Sequence, residues 1–314
     1  MSRTGKMLTG LGAAGLLGGG LALWSSLSAR GAEAAVPPDG EFLEVQGARI
    51  HYVDRGEGPP VVMIHGLLGQ MRNFNYGVAD ALAQDHRVLL VDRPGWGHSQ
   101  LTQAERPGIA EQATMLADFL RARRVGPALI VGHSLGGAVA LALALDHPDL
   151  VRGLALIAPL TQPMPAPPPQ FVALMAPPLI RTLVAWTLAV PGGQINGPAA
   201  ARAVFAPDAV PEDFQTRGGG ALSIRPSSYE AGSFEVTHAA AEMAALAERY
   251  GALRLPVGIL FGRDDAVLAP EDHGAKAAQA IAGADLKLVA GGHMLPVTWP
   301  EVTEQWIRDR AAIG

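Results

Sequence analysis

Gly132-His133-Ser134-Leu135-Gly136-Gly137 is the stretch of sequence that decides the fold of this chain. The residues before it, 128–131, are apolar and partly β-branched, as in a buried parallel strand. Residues 138–145, which follow it, form an apolar run rich in helix formers. The sequence therefore places Ser134 on a strand-to-helix turn, where the flanking glycines let strand and helix cross closely. Such a turn lifts the serine hydroxyl above the carboxyl end of the sheet.

The composition limits the classes of protein to which the chain can belong. With 314 residues, of which 49% are hydrophobic and 17% charged, it can bury one large core and carry an inserted segment. A formal net charge of -5 provides no basic surface for nucleic acid, so we expect no nucleic-acid partner. The chain has no cysteine, which excludes disulfides, thiolate chemistry and cysteine-based metal sites.

Residues 1–36 have the pattern of a signal peptide or of an N-terminal membrane anchor. Arg3 and Lys6 precede an uncharged, mostly apolar stretch, residues 7–28, and Ala32-Glu33-Ala34 offers a cleavage site. A buried helix of a soluble protein is the alternative. The positive end favours export of the rest of the protein, which would be either anchored facing the periplasm or the extracellular side, or secreted after cleavage. Pro37-Pro38-Asp39-Gly40 is typical of a linker.

The rest of the chain predicts an α/β fold with a mostly parallel, doubly wound sheet. Strand and helix patterns alternate over residues 37–160 and again over residues 255–314, as in a sheet with helices on both faces. Between these two core parts, residues 161–254 have no strand pattern and many prolines, which predicts an inserted helical cap. The predicted strands are 42–45, 50–53, 61–64, 88–91, 128–131, 154–157, 257–261 and 286–289, and the predicted core helices are 73–83, 109–123, 138–145, 275–281 and 300–313.

Three polar side chains follow strands of the predicted sheet. A serine needs a base to become a nucleophile, and an imidazole base needs a carboxylate to fix its tautomer and stabilise its charged form. Asp265 follows the strand 257–261, and His293 follows the next strand after two glycines. Both therefore lie at the same sheet edge as Ser134, in the chain order serine, acid, histidine. Asp264 is the competing acid.

In these motifs the chain resembles the α/β-hydrolase family, from about residue 41 to the end. The resemblance implies that Ser134 is the nucleophile, His293 the general base and acid, and Asp265, the third residue after its glycine, the orienting carboxylate. It also implies an oxyanion hole made by the backbone N–H groups of Leu67 and Leu135. The matching pieces are His65-Gly66, Asp92-Arg93-Pro94-Gly95-Trp96-Gly97-His98-Ser99, the residues 132–137, Gly262-Arg263-Asp264-Asp265 and Gly292-His293.

The remaining histidines and one further aspartate are interpreted as structural. We expect His133 to point into the fold, with contact to substrate as the alternative, and His98 to brace its loop. His51 fits a hairpin position and Asp92 the end of a strand near the site. No metal-ligand spacing is present, so no metal or cofactor is expected, and three histidines are interpreted as surface or cap residues: His147, His238 and His273.

The expected chemistry is two-step acyl transfer to Ser134 and then to water, with a small or medium apolar ester as the simplest substrate. Relatives that cleave carbon–carbon bonds commonly carry Asn before the serine and Trp after the histidine, where this chain has His133 and Met294. Carbon–carbon hydrolysis, haloperoxidase-like or perhydrolase activity, and a membrane-tethered pseudoenzyme that binds a ligand remain alternatives. The oligomeric state is not indicated. Six apolar cap residues could line an apolar pocket, although most of them are expected to pack the cap on the core: Phe171, Leu174, Met175, Leu179, Leu183 and Trp186.

Overall fold

The computed structural model describes residues 3–313, with side chains described from residue 15. A nine-stranded sheet with the order β1-β2-β4-β3-β6-β7-β8-β9 organises the chain, and β5 pairs with β2 at its side. The pairs β1·β2, β2·β4 and β2·β5 are antiparallel, and all other pairs are parallel. The strands are β1 Glu41–Val45, β2 Ala48–Arg55, β3 Pro60–Ile64, β4 Arg87–Val91, β5 Gln100–Leu101, β6 Ala128–His133, β7 Val151–Ile157, β8 Val257–Gly262 and β9 Asp285–Val289.

Apolar side chains alternate between the two faces of the sheet, and each face is covered by helices. On β3, Val62 and Ile64 belong to the cluster that contains the helices 109–122 and 135–146, whereas Val61 and Met63 belong to the cluster that contains the helices 78–82 and 300–311. The sheet is therefore buried on both sides, as the apolar strand runs predict. The core helices are α2 Val78–Leu82, α3 Ile109–Ala122, α4 Leu135–Asp146, α8 Lys276–Ala280, α9 Leu295–Thr298 and α10 Pro300–Ala311.

The predicted fold class is confirmed, and all eight predicted strands are present. The helix predicted over residues 73–83 is wrong in part. The chain there forms a 3₁₀ turn, Met71–Phe74, and the short helix α2, because Gly77 adopts φ 118° between them. The two-residue strand β5 and the four-residue helix α9 were not predicted, since elements this short leave no periodic pattern.

Residues 161–254, here called the cap, contain helices and no strand. The helices are α5 Pro178–Val184, α6 Val190–Phe205 and α7 Pro226–Ala247. A π-helical turn, Ala185–Ala189, joins α5 to α6 without a break. The cap lies between β7 and β8, which are neighbours in the sheet, so it begins and ends at adjacent sheet positions.

The N-terminal helix α1, Arg3–Ala35, packs on the cap. Trp24 Nε1 donates to Gln194 Oε1 at 3.0 Å, and Glu33 forms an ion pair with Arg225 at 3.1 Å. Ala32 is buried against the cap, so the predicted cleavage site falls within a packed helix. Within the described residues, no helix combines the length and apolarity needed to cross a bilayer. Of the predicted apolar segment, the side chains of residues 7–14 lie outside the described part.

Candidate active site

Ser134 lies between β6 and α4 in a strained backbone conformation, with φ 54° and ψ -123°. A non-glycine residue with positive φ is uncommon and needs support from its surroundings. The support here is hydrogen bonding, because the Ser134 N–H donates to Ile157 O and its carbonyl accepts from Gly137 and Leu160. A Cβ added to Gly132 would lie 2.6 Å from Gly136 O, so only glycine fits where strand and helix cross.

Asp265 and His293 form a buried pair at the carboxyl ends of β8 and β9. His293 Nδ1 donates to Asp265 Oδ2 at 2.8 Å, and the side chains are 4% and 0% exposed. The other oxygen of Asp265 accepts from the N–H groups of Val267 and Leu268 at 2.8 and 2.9 Å. Burial raises the pKa of Asp265, but the charge and hydrogen bond of His293 and these two N–H groups outweigh it and lower that pKa below its usual value. The carboxylate therefore stays ionised and fixes the imidazole tautomer.

Asp264, the alternative acid, is exposed to solvent. Its backbone N–H donates to Gly291 O, and its side chain makes no hydrogen bond with His293. The geometry thus places Asp265, rather than Asp264, at the histidine.

Ser134 and His293 line the same cavity. Among the described residues Ser134 Oγ has no hydrogen-bond partner, and His293 Nε2 has none either. Hydrogen bonds between catalytic groups are often long before substrate binds. Transfer of a proton between these two atoms requires the serine hydroxyl to approach Nε2.

Two backbone N–H groups beside Ser134 are free to bind an anion. Leu135 is the first residue of α4, so its N–H has no partner within the helix. The N–H of Leu67 likewise forms no hydrogen bond within the described chain. The loop with Leu67 passes very close to the serine, because a Cβ added to Gly66 would lie 2.8 Å from the Ser134 Cβ. Both predicted donors therefore flank the hydroxyl.

Comparison with known proteins identifies the family of the fold. Residues 59–298 match the family described as "alpha/beta hydrolase fold". The chain belongs to the α/β-hydrolase family.

Individual relatives of this α/β hydrolase are more distant. It is 37% identical over 120 residues to the dihydrolipoyllysine-residue acetyltransferase component of an acetoin cleaving system from Cupriavidus necator. The aligned residues cover 38% of this chain and 32% of that protein. The chain therefore matches only about a third of the length of that curated relative.

Two solved structures show the same fold at low sequence identity. The enol-lactonase from Burkholderia xenovorans has a TM-score of 0.72 at 21% identity, over 87% of this chain and all of that one (100%). The meta-cleavage product hydrolase from Pseudomonas fluorescens has a TM-score of 0.71 at 20% identity, over 87% of this chain and 97% of that one. At this identity the likeness concerns the fold alone.

Two cavities meet at Ser134 in this α/β hydrolase. The smaller, of about 270 Å³, includes Leu135 and residues of α7 such as Val236 and Met243. The larger, of about 670 Å³, includes His293 and residues of α6 such as Val204. Leu67, Ser134 and Phe171 belong to both cavities. Both are mainly apolar, as is usual for pockets that bind small organic molecules.

The six apolar cap residues named from the sequence divide into two groups. Phe171, Leu174 and Met175 line the cavities, as the sequence suggests. Leu179, Leu183 and Trp186 neither line a cavity nor pack on the core, because they are 99%, 64% and 41% exposed. The expectation that these three would do one or the other is wrong.

A buried ion pair joins the cap to the loop that carries the predicted oxyanion donor. Arg93, after β4, binds Glu235 of α7 through both Nη atoms, at 2.6 and 3.2 Å. The same guanidinium donates to the carbonyls of His65 and Gly66 at 2.9 and 3.1 Å. Trp96 Nε1 also donates to Glu235 at 2.9 Å. One cap carboxylate thus fixes the arginine that holds the glycine loop next to Ser134.

A second cap carboxylate, that of Asp208, holds the loop of His293. Asp208 accepts from the Gly292 N–H at 3.1 Å, from Thr298 Oγ1 at 3.1 Å and from Trp299 Nε1 at 3.1 Å. Sequence reasoning missed Asp208 and Glu235. The cap lacks a periodic pattern, and their partners are 84 to 142 positions away in the chain.

His133 and His65 are buried and neutral. His133 Nε2 donates to the His293 carbonyl at 3.0 Å, which agrees with the expectation that it points into the fold. Burial, with the charge of His293 as a smaller cause, lowers the pKa of His133 to about 3. His65 accepts from the Arg93 N–H through Nε2, and burial together with the charge of Arg93 lowers its pKa to about 3. Neither competes with His293 as a base at neutral pH.

The other histidines with Asp92 have structural contacts. Asp92 and His51 form a buried pair at 2.8 Å, and Asp92 also accepts from the N–H groups of Met71 and His98. His98 Nε2 donates to Val36 O at 2.8 Å.

His147 is half-buried and His238 is exposed. His273 was interpreted as a surface or cap residue, which is wrong, because it is 4% exposed, follows β8 in the core, and accepts from the N–H groups of Thr161 and Gln162. Among residues whose side chains are described, no cluster of metal-ligating groups is found.

Proposed function

We propose that this hydrolase cleaves a carboxylic ester of a small to medium apolar substrate through an acyl-enzyme on Ser134. The observation that carries the proposal is the buried Asp265–His293 pair at 2.8 Å, which opens on the same cavity as Ser134. A serine is activated only by a base within reach, and that base needs an orienting acid. The free N–H groups of Leu67 and Leu135 support the same chemistry.

The reaction begins when Ser134 Oγ attacks the carbonyl carbon of the ester and its proton moves to His293 Nε2. The carbonyl oxygen becomes an oxyanion bound by the two N–H groups, each of which contributes about 10²–10³ in rate. The bond to the alkoxy oxygen then breaks, and His293 returns its proton to that oxygen, so an alcohol leaves. A water molecule attacks the acyl-serine with His293 as its base, which releases the acid and restores the serine.

The position of His293 distinguishes the two cavities. The alkoxy oxygen must lie near the proton on His293, and this residue lines only the larger cavity. The alcohol part of the ester therefore lies in the cavity of about 670 Å³. The acyl part lies in the cavity of about 270 Å³, which leaves room for a chain of several carbons. Cyclic esters also fit this arrangement if the ring spans Ser134.

The proposal is tested by labelling with a fluorophosphonate, which reacts with activated serines. Ser134→Ala removes the nucleophile, and Ser223→Ala is the matched control because Ser223 lines the larger cavity. We expect the wild type and Ser223→Ala to be labelled and Ser134→Ala to remain unlabelled. A folded wild-type protein that takes up no label would contradict the proposal and favour a ligand-binding pseudoenzyme.

Substrate class is tested on the same protein with esters of graded acyl and alcohol length. Two comparison assays accompany the esters: hydrolysis of ring-fission dienones and peroxide-dependent halogenation. Turnover of dienones at rates above those of all esters would favour carbon–carbon hydrolysis. The residues before the serine and after the histidine, His133 and Met294, are not those common in carbon–carbon hydrolases.

Export of the protein is part of the proposal, with the N-terminal segment retained. Arg3 and Lys6 before an uncharged stretch support export. The packing of Ala32 and Glu33 on the cap favours retention, since cleavage after Ala34 would remove these contacts. The test is cell fractionation of the native host, followed by mass spectrometry of the recovered protein. A chain that begins near Val36 would contradict retention of the segment, and a chain found in the cytoplasm would contradict export.

A further inference from the structure

The cap exposes a row of large apolar side chains. Leu179 and Leu183 of α5 are 99% and 64% exposed, and Trp186 in the following π-helical turn is 41% exposed. Their spacing of four and three residues places them on one face of a continuous helix. Single exposed apolar residues are normal, but a contiguous patch marks a surface that binds another apolar surface.

Helix α1 exposes a second row. Leu16, Leu23 and Leu27 are 81%, 62% and 56% exposed, and Trp24 is 56% exposed. Intervals of four and seven residues place these side chains on one side of α1. The other side of α1 is the one that packs on the cap, where Ser25 and Ala32 are buried.

The two rows belong to one surface. Helix α1 contacts the turn Ala185–Ala189, which carries Trp186, and it contacts α6. The hydrogen bond of Trp24 to Gln194 fixes α1 next to Ile195, which is 78% exposed. We call this surface the apolar face: the exposed apolar side chains of α1, α5, the π-helical turn and the start of α6.

The apolar face is almost free of charge, which indicates what it contacts. Residues 7–29 contain no charged side chain, and residues 161–201 contain only Arg181. Arg181 is directed to α7, where it donates to Ser233 and Thr237. A partner held by ion pairs would find no counter-charges here. Leucines flanked by exposed tryptophans are instead the composition of helices that lie in the interfacial region of a bilayer.

Both cavities reach the surface within the same part of the cap. Leu188, in the π-helical turn, lines the larger cavity and is itself 62% exposed. Met175, just before α5, lines the smaller cavity and is 52% exposed. An apolar molecule dissolved in lipid at the apolar face could therefore reach Ser134 without crossing water.

We propose that the apolar face docks on the surface of a lipid bilayer, beside the opening through which the substrate enters. The net charge of -5 is unfavourable for attraction to anionic lipids, so burial of apolar side chains provides the binding. Docking should therefore occur on phosphatidylcholine, which is zwitterionic and has no net charge, and should change little with salt. This inference goes beyond ester hydrolysis and holds or fails independently of it.

The test is co-sedimentation of the full chain with phosphatidylcholine vesicles. The variant Leu179→Glu/Leu183→Glu adds charge to the cap part of the apolar face and leaves α1 intact. Its matched control, Leu288→Glu/Ile313→Glu, changes two exposed apolar residues outside the face, which are 40% and 52% exposed. We expect the wild type and the control to bind vesicles alike and the cap variant to bind at least about tenfold more weakly. Hydrolysis of a water-soluble ester should be equal in all three.

Two results would overturn the proposal. One is a wild type that stays in the supernatant at every lipid concentration. The other is a cap variant that binds vesicles as the wild type does, which would place all binding in α1. Light scattering without lipid identifies a different occupant: a wild-type dimer that the cap variant dissociates, together with absent vesicle binding, would show that a second copy covers the face.

Discussion

Glu235 of the cap and Arg93 of the core form an ion pair that is closed to solvent, with side chains 6% and 0% exposed. The pair connects the helix above the cavity to the loop that presents the Leu67 N–H, because Arg93 also binds the His65 and Gly66 carbonyls. The cap is therefore fixed to the loop of one predicted oxyanion donor.

Glu235→Gln is expected to lower both stability and activity. It leaves a buried guanidinium without a counter-charge, which costs about 3–5 kcal/mol of unfolding free energy. Glu230→Gln is the matched control on the same helix, because Glu230 pairs with Arg106 at 2.7 Å with side chains 19% and 23% exposed, and we expect it to cost about 1 kcal/mol or less. Urea denaturation measures both. Equal losses in the two variants would show that the buried pair has no special weight.

Asp208→Ala is expected to lower kcat with little change in KM. The side chain of Asp208 forms hydrogen bonds only with the loop of His293 and with Thr298 and Trp299 after it, so its loss displaces the imidazole rather than the substrate. A displacement near 1 Å costs up to about 10²-fold in rate. Asp213→Ala is the control, because Asp213 bonds the cap to Tyr76 and does not touch the histidine loop. A fall in kcat of the same size in both variants would argue against a positioning role for Asp208.

Substitution of the two neighbouring carboxylates after β8, Asp264 and Asp265, distinguishes which of them is the acid that orients His293. Asp265→Asn should keep the shape of the site but disturb the tautomer of His293, with a fall in kcat of about 10⁴. Asp264→Asn should leave kcat within about twofold, because its side chain is exposed and does not contact His293. Steady-state kinetics on one soluble ester compares them. If Asp264→Asn proves the more damaging variant, the acid has been assigned wrongly.

The strands of the core, and the position of Ser134, Asp265 and His293 at one sheet edge, were predictable because each of these polar residues follows the end of a strand in the sequence. Ser134, Asp265 and His293 each follow a predicted strand, and parallel strands bring their carboxyl ends to one edge. Glycines beside Ser134 and His293 marked the close approaches. In the core, local strand patterns were therefore enough to predict which distant residues lie close together.

The cap could not be predicted in the same way. Which face of a helix is buried depends on what lies beneath it, and the helices α5 to α7 were known from composition only as apolar segments. Leu179 and Leu183 are consequently exposed where burial was expected. Asp208 and Glu235 gave no signal, because a lone carboxylate in a helical segment is usually solvated. The sequence of helix α1 has the pattern of a membrane segment, and this pattern does not predict the contacts that α1 makes with the cap.

Because His273 is buried, we expect the free energy of unfolding to fall in weak acid. Burial lowers the pKa of His273 to about 4, whereas the unfolded chain has a histidine pKa of about 6.5. The unfolded state thus binds one more proton between these values, so the stabilisation is complete above pH 6.5 and is lost as pH falls towards 4. His273→Asn should flatten the dependence of unfolding free energy on pH by up to one proton in this range. Urea denaturation at several pH values measures the slope, and an unchanged slope would contradict the assignment.

The assignment of the acyl and alcohol parts to different cavities predicts separable effects on specificity. Val236 lines only the smaller cavity and Val204 only the larger one, so tryptophan at either position fills one space and leaves the other. Val236→Trp should lower kcat/KM for octanoyl relative to acetyl esters of one alcohol by about tenfold or more, because the long acyl chain loses its space. Val204→Trp should do the same for octyl relative to ethyl esters of one acid. Each variant controls for the other, since both exchange valine for tryptophan at a cavity wall. The opposite pattern would reverse the two cavities and place the leaving alcohol away from His293, which would remove the route by which that histidine protonates it.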